Sequence, residues 1–581
     1  MFKYLKKYII LGVIAAVFMV GEVSMDLLQP ALMRTIVDEG VLGLSNNGIG
    51  NIELIISTGI RMIGTVALGG ICGVLCGVFT NLCSHNFANA VRKDTFKKIL
   101  SLSFQQTGKF TTGSLITRVT NDVTQLQHLV GMCVRGFVRS LVMFAGGIFC
   151  MLSLNRSFGT VAVIAFPVLV LSVLLIIRKV SPKFAILQSK LDKLNNVLQE
   201  NITGMRVVKA FVREDHERKR FGDANADLVG TQLNILTLFS FMGPIMNIVL
   251  NLAVVAVIYI GGIEVQSGIA TPGDVMAAIT YLSQVLGSAM MIAMMFQMVS
   301  RGLASYRRIK EVLSCEPAVA EGKGVAKQNQ QKKGRIEFKN VSFSYPESSG
   351  ECVLKDIDLT IKAGETVGFL GATGSGKSTL VNLVPRFYDV TEGELLVDGV
   401  NVKDYKKKDL RNKVAIALQK SELFSTSIKE NILWGKPDAT DEEVDKAAKA
   451  AQAMEFISTQ PEGMDSMVAE KGMSLSGGPK QRLSISRAII KDADILIFDD
   501  ATSALDLKTE ANLYKALRED YEDVTKLIIA QRIASVKGAD RIVVLDNGGI
   551  SAVGSHEELM ETSDIYRDIY MSQLKGGAEN E

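Results

Sequence analysis

The stretch ETVGFLGATGSGKSTLVNLV (residues 365–384) predicts a strand, a glycine-rich loop and a helix in direct succession. The loop matches G-x-x-x-x-G-K-[ST], in which backbone N–H groups surround phosphate oxygens and the positive end of the helix adds to the attraction. The lysine of this pattern reaches the outer phosphates of ATP, and the hydroxyl after it holds Mg2+. The predicted ATP-binding residues are Gly371, Ala372, Thr373, Gly374, Ser375, Gly376, Lys377, Ser378 and Thr379.

A second stretch, ILIFDDATSALD (495–506), predicts the acidic corner of the same site. Its apolar residues indicate a buried strand, at whose end Asp499 would hold the magnesium shell. Buried strands ending in acids are common, so the pattern becomes specific only because it follows a phosphate loop. The adjacent Asp500 is unexpected, because the water-activating acid of an ATPase should here be a glutamate.

Long apolar segments before residue 300 predict a membrane domain. The chain is 48% apolar with a mean hydropathy of +0.23, yet 22% of its residues are charged, so only part of it lies in a bilayer. A spanning helix needs about 20 apolar residues. Six segments satisfy this, lying within Ile9–Leu28, Met62–Asn86, Leu129–Leu154, Phe158–Ile177, Ile235–Ile263 and Val275–Val299. The predicted fold is an all-α membrane domain fused to an α/β phosphate-loop domain.

Basic residues are concentrated on one side of these spans. Lysines precede the first span, and the stretches after the second and fourth spans are rich in lysine and arginine. The connections on the opposite side, at 39–53, 155–157 and 264–274, contain Arg156 as their only basic residue. The positive-inside rule therefore predicts a multi-pass protein of the cell membrane, with both termini and the ATP-binding domain in the cytoplasm.

The domain boundaries follow from these changes in composition. Helical spacing continues through the connections, as in 191–211, and predicts helices that extend into the cytoplasm; a separate small domain is the alternative. The polar tract EGKGVAKQNQQKKG indicates a tether. The predicted organisation is a membrane domain at 1–300, a linker at 301–334, an ATP-binding domain at 335–575 and a tail at 576–581.

Cysteine usage and net charge exclude some classes of protein. The seven cysteines show no metal-ligand or disulfide spacing. The net charge of +3 is too small to indicate nucleic-acid binding, which depends on concentrated positive charge.

The segment SLSGGPKQR (474–482) lies between the two ATP-site stretches and resembles the signature of ATP-binding cassette (ABC) proteins, usually LSGGQ. Further elements match that family in order. Tyr345 resembles the aromatic residue that stacks on adenine, Gln419 the glutamine that touches Mg2+, and Gln531 occupies the place of the switch histidine. The residues matching the D-loop are Ser503, Ala504, Leu505 and Asp506.

The resemblance covers the whole chain, which looks like an ABC exporter half-transporter. GSLITRVTNDV (113–123) and TGMRVVKAF (203–211) are similar to the segments flanking that family's docking turns. The family relation implies that two nucleotide domains form a head-to-tail sandwich, with each ATP between the phosphate loop of one chain and the signature of the other. The signature residues that would act on a partner's ATP are Ser476, Gly477, Gly478 and Pro479.

Three residues depart from the family pattern. Asp500 stands in place of the catalytic glutamate, and losing one methylene withdraws the carboxylate by roughly 1 Å, a displacement that can cost about 10²-fold in rate. Gln531 cannot carry the positive charge of a switch histidine. Pro479 replaces a glutamine at the start of a helix, where a missing N–H costs little.

With Asp500 and Gln531 together and the ATP-binding residues intact, the chain resembles the degenerate-site subunit of bacterial heterodimeric multidrug exporters. The implied partner is a second, non-identical half-transporter that supplies the usual glutamate and histidine, while the chain's own site binds ATP and hydrolyses it slowly. A homodimer with two slow sites is the alternative. An ATP-gated regulator or channel is a rival from another class, and importer and peptide-exporter architectures fit the sequence less well.

The expected substrates are small hydrophobic or amphipathic compounds such as drugs or lipids. A flexible methionine-rich wall would suit varied apolar substrates, but lipid contact and helix packing explain these residues about as well and are favoured for most of them. Glu22 and Asp26 lie one turn apart in the first span, where they would either attract cationic substrates or form a structural pair, with Arg34 or a partner residue as candidates. The methionines of the predicted cavity are Met291, Met294, Met295 and Met298.

Overall fold

The computed structural model of the chain describes residues 2–324, 333–345 and 351–578. The chain divides into two compact units. The first contains residues up to Leu100 together with Thr112–Ser314, and the second contains Ser101–Thr111 together with the chain from Cys315 onward. The tethering tract at 325–332 and the last residues of the predicted tail, 579–581, lie outside the described residues.

The first unit is entirely helical. Its α-helices are α1 (Phe2–Thr35), α2 (Ile52–Ser101), α4 (Thr112–Thr117), α5 (Val123–Met132), α6 (Val138–Leu154), α7 (Arg156–Thr203), α8 (Met205–Ala210), α9 (Glu214–Ser240), α10 (Met242–Gln266) and α11 (Pro272–Ser314). Short π-helical turns extend α1 and join α4, α5 and α6 into one continuous segment; they are Ile36–Val41, Arg118–Asp122 and Cys133–Phe137.

Six helical segments of the described chain are long and apolar enough to cross a membrane, which confirms the predicted number. Several far exceed the roughly 20 residues that a bilayer requires. The helix of the fourth span, for example, continues from Arg156 to Thr203. Its polar continuation is therefore helix, as the periodicity of 191–211 predicts, and the described residues of this connection form no separate domain.

Helix α11 corrects the predicted start of the linker. The composition predicts a linker at 301–334, whereas α11 continues to Ser314. Ile309 and Val312, three residues apart, are fully buried in the first unit. An apolar stripe at helical spacing therefore keeps this stretch in a packed helix, despite the polar residues between Ile309 and Val312.

The second unit contains two sheets. Its strands are β1 (Ile336–Phe343), β2 (Leu354–Ile361), β3 (Thr366–Leu370), β4 (Glu392–Val397), β5 (Val400–Asn401), β6 (Val414–Ala417), β7 (Ile495–Asp499), β8 (Thr525–Ile529), β9 (Arg541–Asp546) and β10 (Gly549–Gly554). Its helices are α3 (Phe104–Lys109), α12 (Lys377–Leu383), α13 (Lys407–Lys413), α14 (Ile428–Leu433), α15 (Asp441–Ala450), α16 (Met454–Ile457), α17 (Gly477–Ile489), α18 (Leu507–Asp520), α19 (Ile533–Val536), α20 (His556–Thr562) and α21 (Asp564–Ala578).

The larger sheet determines where the site residues meet. Its order is β10-β9-β3-β8-β7-β6, and the strands from β9 to β6 run parallel. The smaller sheet is antiparallel, with the order β2-β1-β4-β5. Parallel strands present their carboxyl ends at one edge, where ligands of open α/β sheets bind. The phosphate loop, Asp499, Gln531 and Gln419 all follow strands at this edge.

The segment Ser101–Thr111 belongs to the second unit although the chain on either side of it belongs to the first. Within that unit, the Phe104 ring lies 4.5 Å from the Phe387 ring, measured between centroids. Gln106 donates a 2.8 Å hydrogen bond to the Glu316 carbonyl. This short helix directly precedes the stretch 113–123, whose sequence is similar to a segment that flanks a docking turn in ABC exporters.

Candidate functional site

The phosphate loop connects β3 to α12, and its glycines are required by its shape. Gly371 has φ +150°, and a Cβ there would lie 2.2 Å from the Leu545 carbonyl oxygen. Gly376, which precedes α12, has φ +97°. Side chains at these positions would collide with backbone or strain it. The loop therefore keeps the curled form that exposes its N–H groups at the start of a helix.

Lys377 lies across the inside of this loop. Its ammonium donates 2.8 Å hydrogen bonds to the carbonyls of Gly371 and Ala372 and lies 3.4 Å from Ser375 Oγ. Burial lowers the pKa of Lys377, while the neighbouring charges of Asp500 and Asp499 act in the opposite direction. A phosphate entering the loop would replace carbonyl acceptors with a charged one, which a buried ammonium binds more strongly.

Asp499 is paired with the hydroxyl that follows the lysine. Ser378 Oγ donates a 2.6 Å hydrogen bond to Asp499 Oδ1, and the carboxylate is almost completely buried. Burial raises the pKa of Asp499, opposed by the Ser378 hydrogen bond. A hydroxyl and a carboxylate at the edge of a phosphate loop form the oxygen donor set that Mg2+ prefers. The residues present therefore fit a nucleotide-bound magnesium ion.

Asp500 is in contact with two further predicted site residues, Gln419 and Gln531. Its Oδ2 accepts a 3.1 Å hydrogen bond from Gln419 Nε2 and a 3.0 Å hydrogen bond from Gln531 Nε2. Its backbone has φ +50°, a left-handed conformation that aspartate tolerates better than most residues. Two of the three departures from the family pattern, Asp500 and Gln531, are thus in direct contact, and two neutral amides hold the Asp500 carboxylate.

Tyr345 is anchored beside the phosphate-loop helix. Its hydroxyl lies 3.0 Å from Thr379 Oγ1, and its ring packs edge-on against Phe343 and Tyr388. Stacking of this ring on adenine stays a prediction.

The signature residues lie at the start of α17, with Ser476 preceding the helix and Pro479 in its first turn. The first four N–H groups of a helix have no partner within it, so proline removes no helical hydrogen bond here. Ser476 and Gly477 are exposed, which leaves them accessible to a ligand or a second chain. The D-loop follows β7 and ends at Asp506, which caps α18 by accepting a 2.9 Å bond from the Thr509 N–H.

Two glutamines that the sequence analysis missed brace the loops of the site. Gln481 on α17 donates to Ser503 Oγ at 3.0 Å and accepts from the Ala504 N–H at 2.8 Å, so it holds the D-loop. Gln573 on α21 donates to the Gln531 carbonyl at 2.8 Å and accepts from the Ile533 N–H at 3.0 Å. Gln481 lies within the quoted stretch SLSGGPKQR, although nothing in that stretch indicates its contacts, and no local motif marks Gln573. Only the tertiary structure brings these amides to their loops.

The Gln573 brace leads to a test of loop stability. Gln573→Ala removes both hydrogen bonds and is expected to lower the local opening free energy of the loop at 531–533 by about 1 kcal/mol. Hydrogen exchange of the Gln531–Val536 amides should accelerate accordingly. Met571→Ala, an exposed position on the same helix, is the control and should leave exchange unchanged. Equal exchange in both variants would show that the brace is not needed.

In the first unit, Glu22 and Asp26 are paired with Arg139. One guanidinium nitrogen bonds Glu22, and the other donates a 2.9 Å hydrogen bond to Asp26 Oδ2. The suggested partner Arg34 instead contacts Asp274 at 2.8 Å and Asp38 at 3.6 Å. Glu22 and Asp26 therefore form a structural ion pair, but with Arg139 and not with Arg34, because α6 places Arg139 against the acids of α1.

The predicted cavity methionines do not share one environment. Met291 and Met298 line a cavity of about 690 Å³ within the first unit. Met295 is buried, with its side chain beside Gly136. The side chain of Met294 lies outside the described part of the structure. Helix α11 thus turns some of its methionines into the packing of the bundle and others towards the cavity.

Comparison with known proteins gives matches along almost the whole chain. Residues 11–289 match the ABC transporter transmembrane region, and residues 354–503 match the ABC transporter family. The chain is 38% identical to the uncharacterized ABC transporter ATP-binding protein YfiB of Bacillus subtilis, covering 99% of both chains. It is also 38% identical to an ATP-dependent lipid A-core flippase of Desulfotalea psychrophila, covering 80% of both.

Among solved structures, the chain is similar to a bacterial Atm1-family ABC exporter with ATP bound. The TM-score is 0.80 and the sequence identity 26%, over 97% of this chain and 98% of that one.

Proposed function

The chain belongs to the ABC transporter family as an exporter half-transporter, and on this premise we propose that it exports hydrophobic or amphipathic compounds as the degenerate-site subunit of a heterodimer. The ATP-binding domain and both termini lie in the cytoplasm. The similar lipid A-core flippase of Desulfotalea psychrophila is named for the movement of a lipid, which supports an amphipathic cargo.

The chain's own residues bind ATP in this proposal. Lys377 binds the outer phosphates, Tyr345 stacks on the adenine, and Ser378 and Asp499 hold Mg2+. Magnesium, when bound with the nucleotide, neutralises phosphate charge. ATP binding closes the two nucleotide domains, and this opens the twelve-helix membrane assembly outward. Hydrolysis and product release restore the inward-facing state.

The observation that carries the degenerate-site proposal is the contact between Asp500 and Gln531. The carboxylate lacks the methylene that would bring it to the attacking water, and the neighbouring amide cannot supply a positive charge. The phosphate-loop and magnesium residues are intact, so ATP stays bound while the chemical step is slow. The partner chain supplies a glutamate and a histidine to the second site, which turns over with the help of Ser476, Gly477 and Gly478 of this chain.

The experiment that tests the assembly is to tag the chain in its native membrane, extract it gently and determine the mass of the complex. A second half-transporter at one-to-one stoichiometry, with glutamate and histidine at the positions of Asp500 and Gln531, is the expected result. A complex containing only this chain contradicts the heterodimer. ATP-gated ion conductance without substrate flux would contradict export itself.

A further inference from the structure

We propose that the translocated compound is an anionic amphiphile, recognised by Arg135 in the cavity of the membrane unit. This inference deepens the proposed export function and rests on it. Its basis is the distribution of charge around two neighbouring cavities, of about 520 and 690 Å³, both lined by Arg135 and Arg139.

Within the part of the chain that the structure describes, the polar residues that line the larger cavity include two arginines and no acidic residue. Arg135, Arg139, His85 and His128 contribute to its wall, and no aspartate or glutamate is among its described lining residues. His85 lies 3.2 Å from Gln127, measured between the His Nε2 and the amide nitrogen. Charge in such a cavity attracts the opposite charge, and the low-dielectric surroundings strengthen the attraction.

The two arginines differ in what balances their charge. Arg139 is bonded by both Glu22 and Asp26, acids that also line the smaller cavity, so its guanidinium is fully paired within the chain. Arg135 is exposed and forms no ion pair or hydrogen bond within the described residues. An arginine at membrane depth normally has a partner or marks a substrate pathway. Arg135 is therefore the group available to a ligand.

Position along the helix agrees with a ligand that enters from one leaflet. His128, Arg135 and Arg139 follow one another at helical spacing on one face of the segment Thr112–Leu154. At 1.5 Å per residue, Arg135 lies about 10 Å beyond His128 and Arg139 about 6 Å further. In the proposed orientation this series rises from the cytoplasmic side, near the level of lipid headgroups, towards the acid pair.

The residues that α11 contributes to the cavity are apolar, which is why the ligand is an amphiphile rather than a small soluble anion. Met291 and Met298 of α11 line the same cavity, and both are more than 40% exposed. Exposed thioether side chains adapt to apolar chains of varied shape. The guanidinium binds a phosphate or carboxylate through paired N–H donors, while the methionines contact the hydrocarbon.

The test uses the purified complex reconstituted into phosphatidylcholine vesicles. Two lipids with the same fluorescent acyl chain, phosphatidic acid and phosphatidylcholine, differ only in the headgroup, and transport is read as ATP-dependent protection of the label from dithionite. We expect preferred transport of phosphatidic acid, and an Arg135→Gln variant that loses about tenfold or more of it while keeping phosphatidylcholine transport. Arg135→Lys should retain part of the preference.

Controls separate charge recognition from structure. Arg156→Gln alters an exposed arginine outside both cavities and should transport like the wild type. Equal transport of both lipids by the wild type overturns the inference but leaves the proposed export function standing. The inference is likewise overturned, with the export function still standing, if Arg135→Gln loses transport of both lipids equally or if the complex dissociates in this variant. If inorganic phosphate stimulates the ATPase as strongly as phosphatidic acid does, the conclusion that the ligand is an amphiphile is overturned. Failure to transport either lipid, with no ATP hydrolysis, counts against the proposed function instead.

Discussion

Replacing Asp500 by glutamate and Gln531 by histidine together is expected to raise ATP hydrolysis at this chain's half-site by about 10²-fold. The fold-change corresponds to about 2.7 kcal/mol of activation free energy. The reason is geometric. The Asp500 N–H is bonded to the Ile529 carbonyl, and the Asp500 carbonyl accepts from Ser503 Oγ, so the backbone is held at both ends. An added methylene must therefore carry the carboxylate towards the phosphates.

The two substitutions should not contribute additively. Asp500 and Gln531 are in direct contact at 3.0 Å, and residues in contact commonly show coupling free energies of 0.5–3 kcal/mol. Asp500→Glu alone should recover most of the rate, because it restores the group that orients water. Gln531→His alone should recover little of the hydrolysis rate, because a charged imidazole cannot replace a carboxylate that lies too far from the attacking water.

The measurement must isolate this half-site. Because Ser476 of this chain would act on the partner's ATP, a Ser476→Arg background silences the other site and leaves the one formed by Lys377. Single-turnover hydrolysis is then compared between the double variant and the parent, with Lys377→Ala as the inactive reference and Asp500→Asn as the isosteric control without charge. A double variant that binds ATP yet hydrolyses it no faster than the parent would refute the assignment of slow turnover to Asp500 and Gln531.

The parts of this fold that the sequence predicts are those with local causes. The phosphate loop is set by glycines that the backbone geometry requires, and the spans by apolar runs whose lengths match a bilayer. The buried strand before Asp499 is set in the same way by four consecutive apolar residues. Each of these signals lies within a short stretch of chain.

The parts that escaped prediction depend on pairs of residues far apart in sequence. Arg139 pairs with Glu22 across 117 residues, and Gln573 reaches Gln531 across 42. Neither partner carries a pattern of its own, because a single arginine or glutamine on a helix is compatible with many contacts. The end of the membrane unit was misplaced for a different reason, since the polar residues of 301–314 hide an apolar stripe that only packing reveals.

Arg139→Met is expected to destabilise the membrane unit by about 2.5–3.5 kcal/mol, the cost of leaving an acid without a counter-charge at membrane depth. The guanidinium now lies between Glu22 and Asp26, two like charges one helical turn apart on α1. Without it the two acids repel each other, and the side chain of Glu22, which is 14% exposed, has lost its charged partner. The thermal unfolding midpoint of the purified complex should fall.

A triple variant, Glu22→Gln, Asp26→Asn and Arg139→Met, removes all three charges together and should recover most of the lost stability. Replacing a complete ion pair by neutral groups is far less costly than removing one partner. Arg61→Met is the matched control, because Arg61 is exposed near the start of α2 and forms no ion pair or hydrogen bond within the part of the chain that the structure describes. A triple variant as unstable as Arg139→Met would mean that Arg139 acts through packing of its side chain.

The same triple variant separates stability from substrate recognition. If Glu22 and Asp26 serve only to balance Arg139, a folded triple variant should export cationic and anionic probes in the wild-type ratio. If the acids also attract cations, the triple variant should regain stability but lose transport of a cationic dye. The pairing with both acids favours the first result, because the guanidinium offsets one of the two negative charges and its hydrogen bonds hold both carboxylates in place.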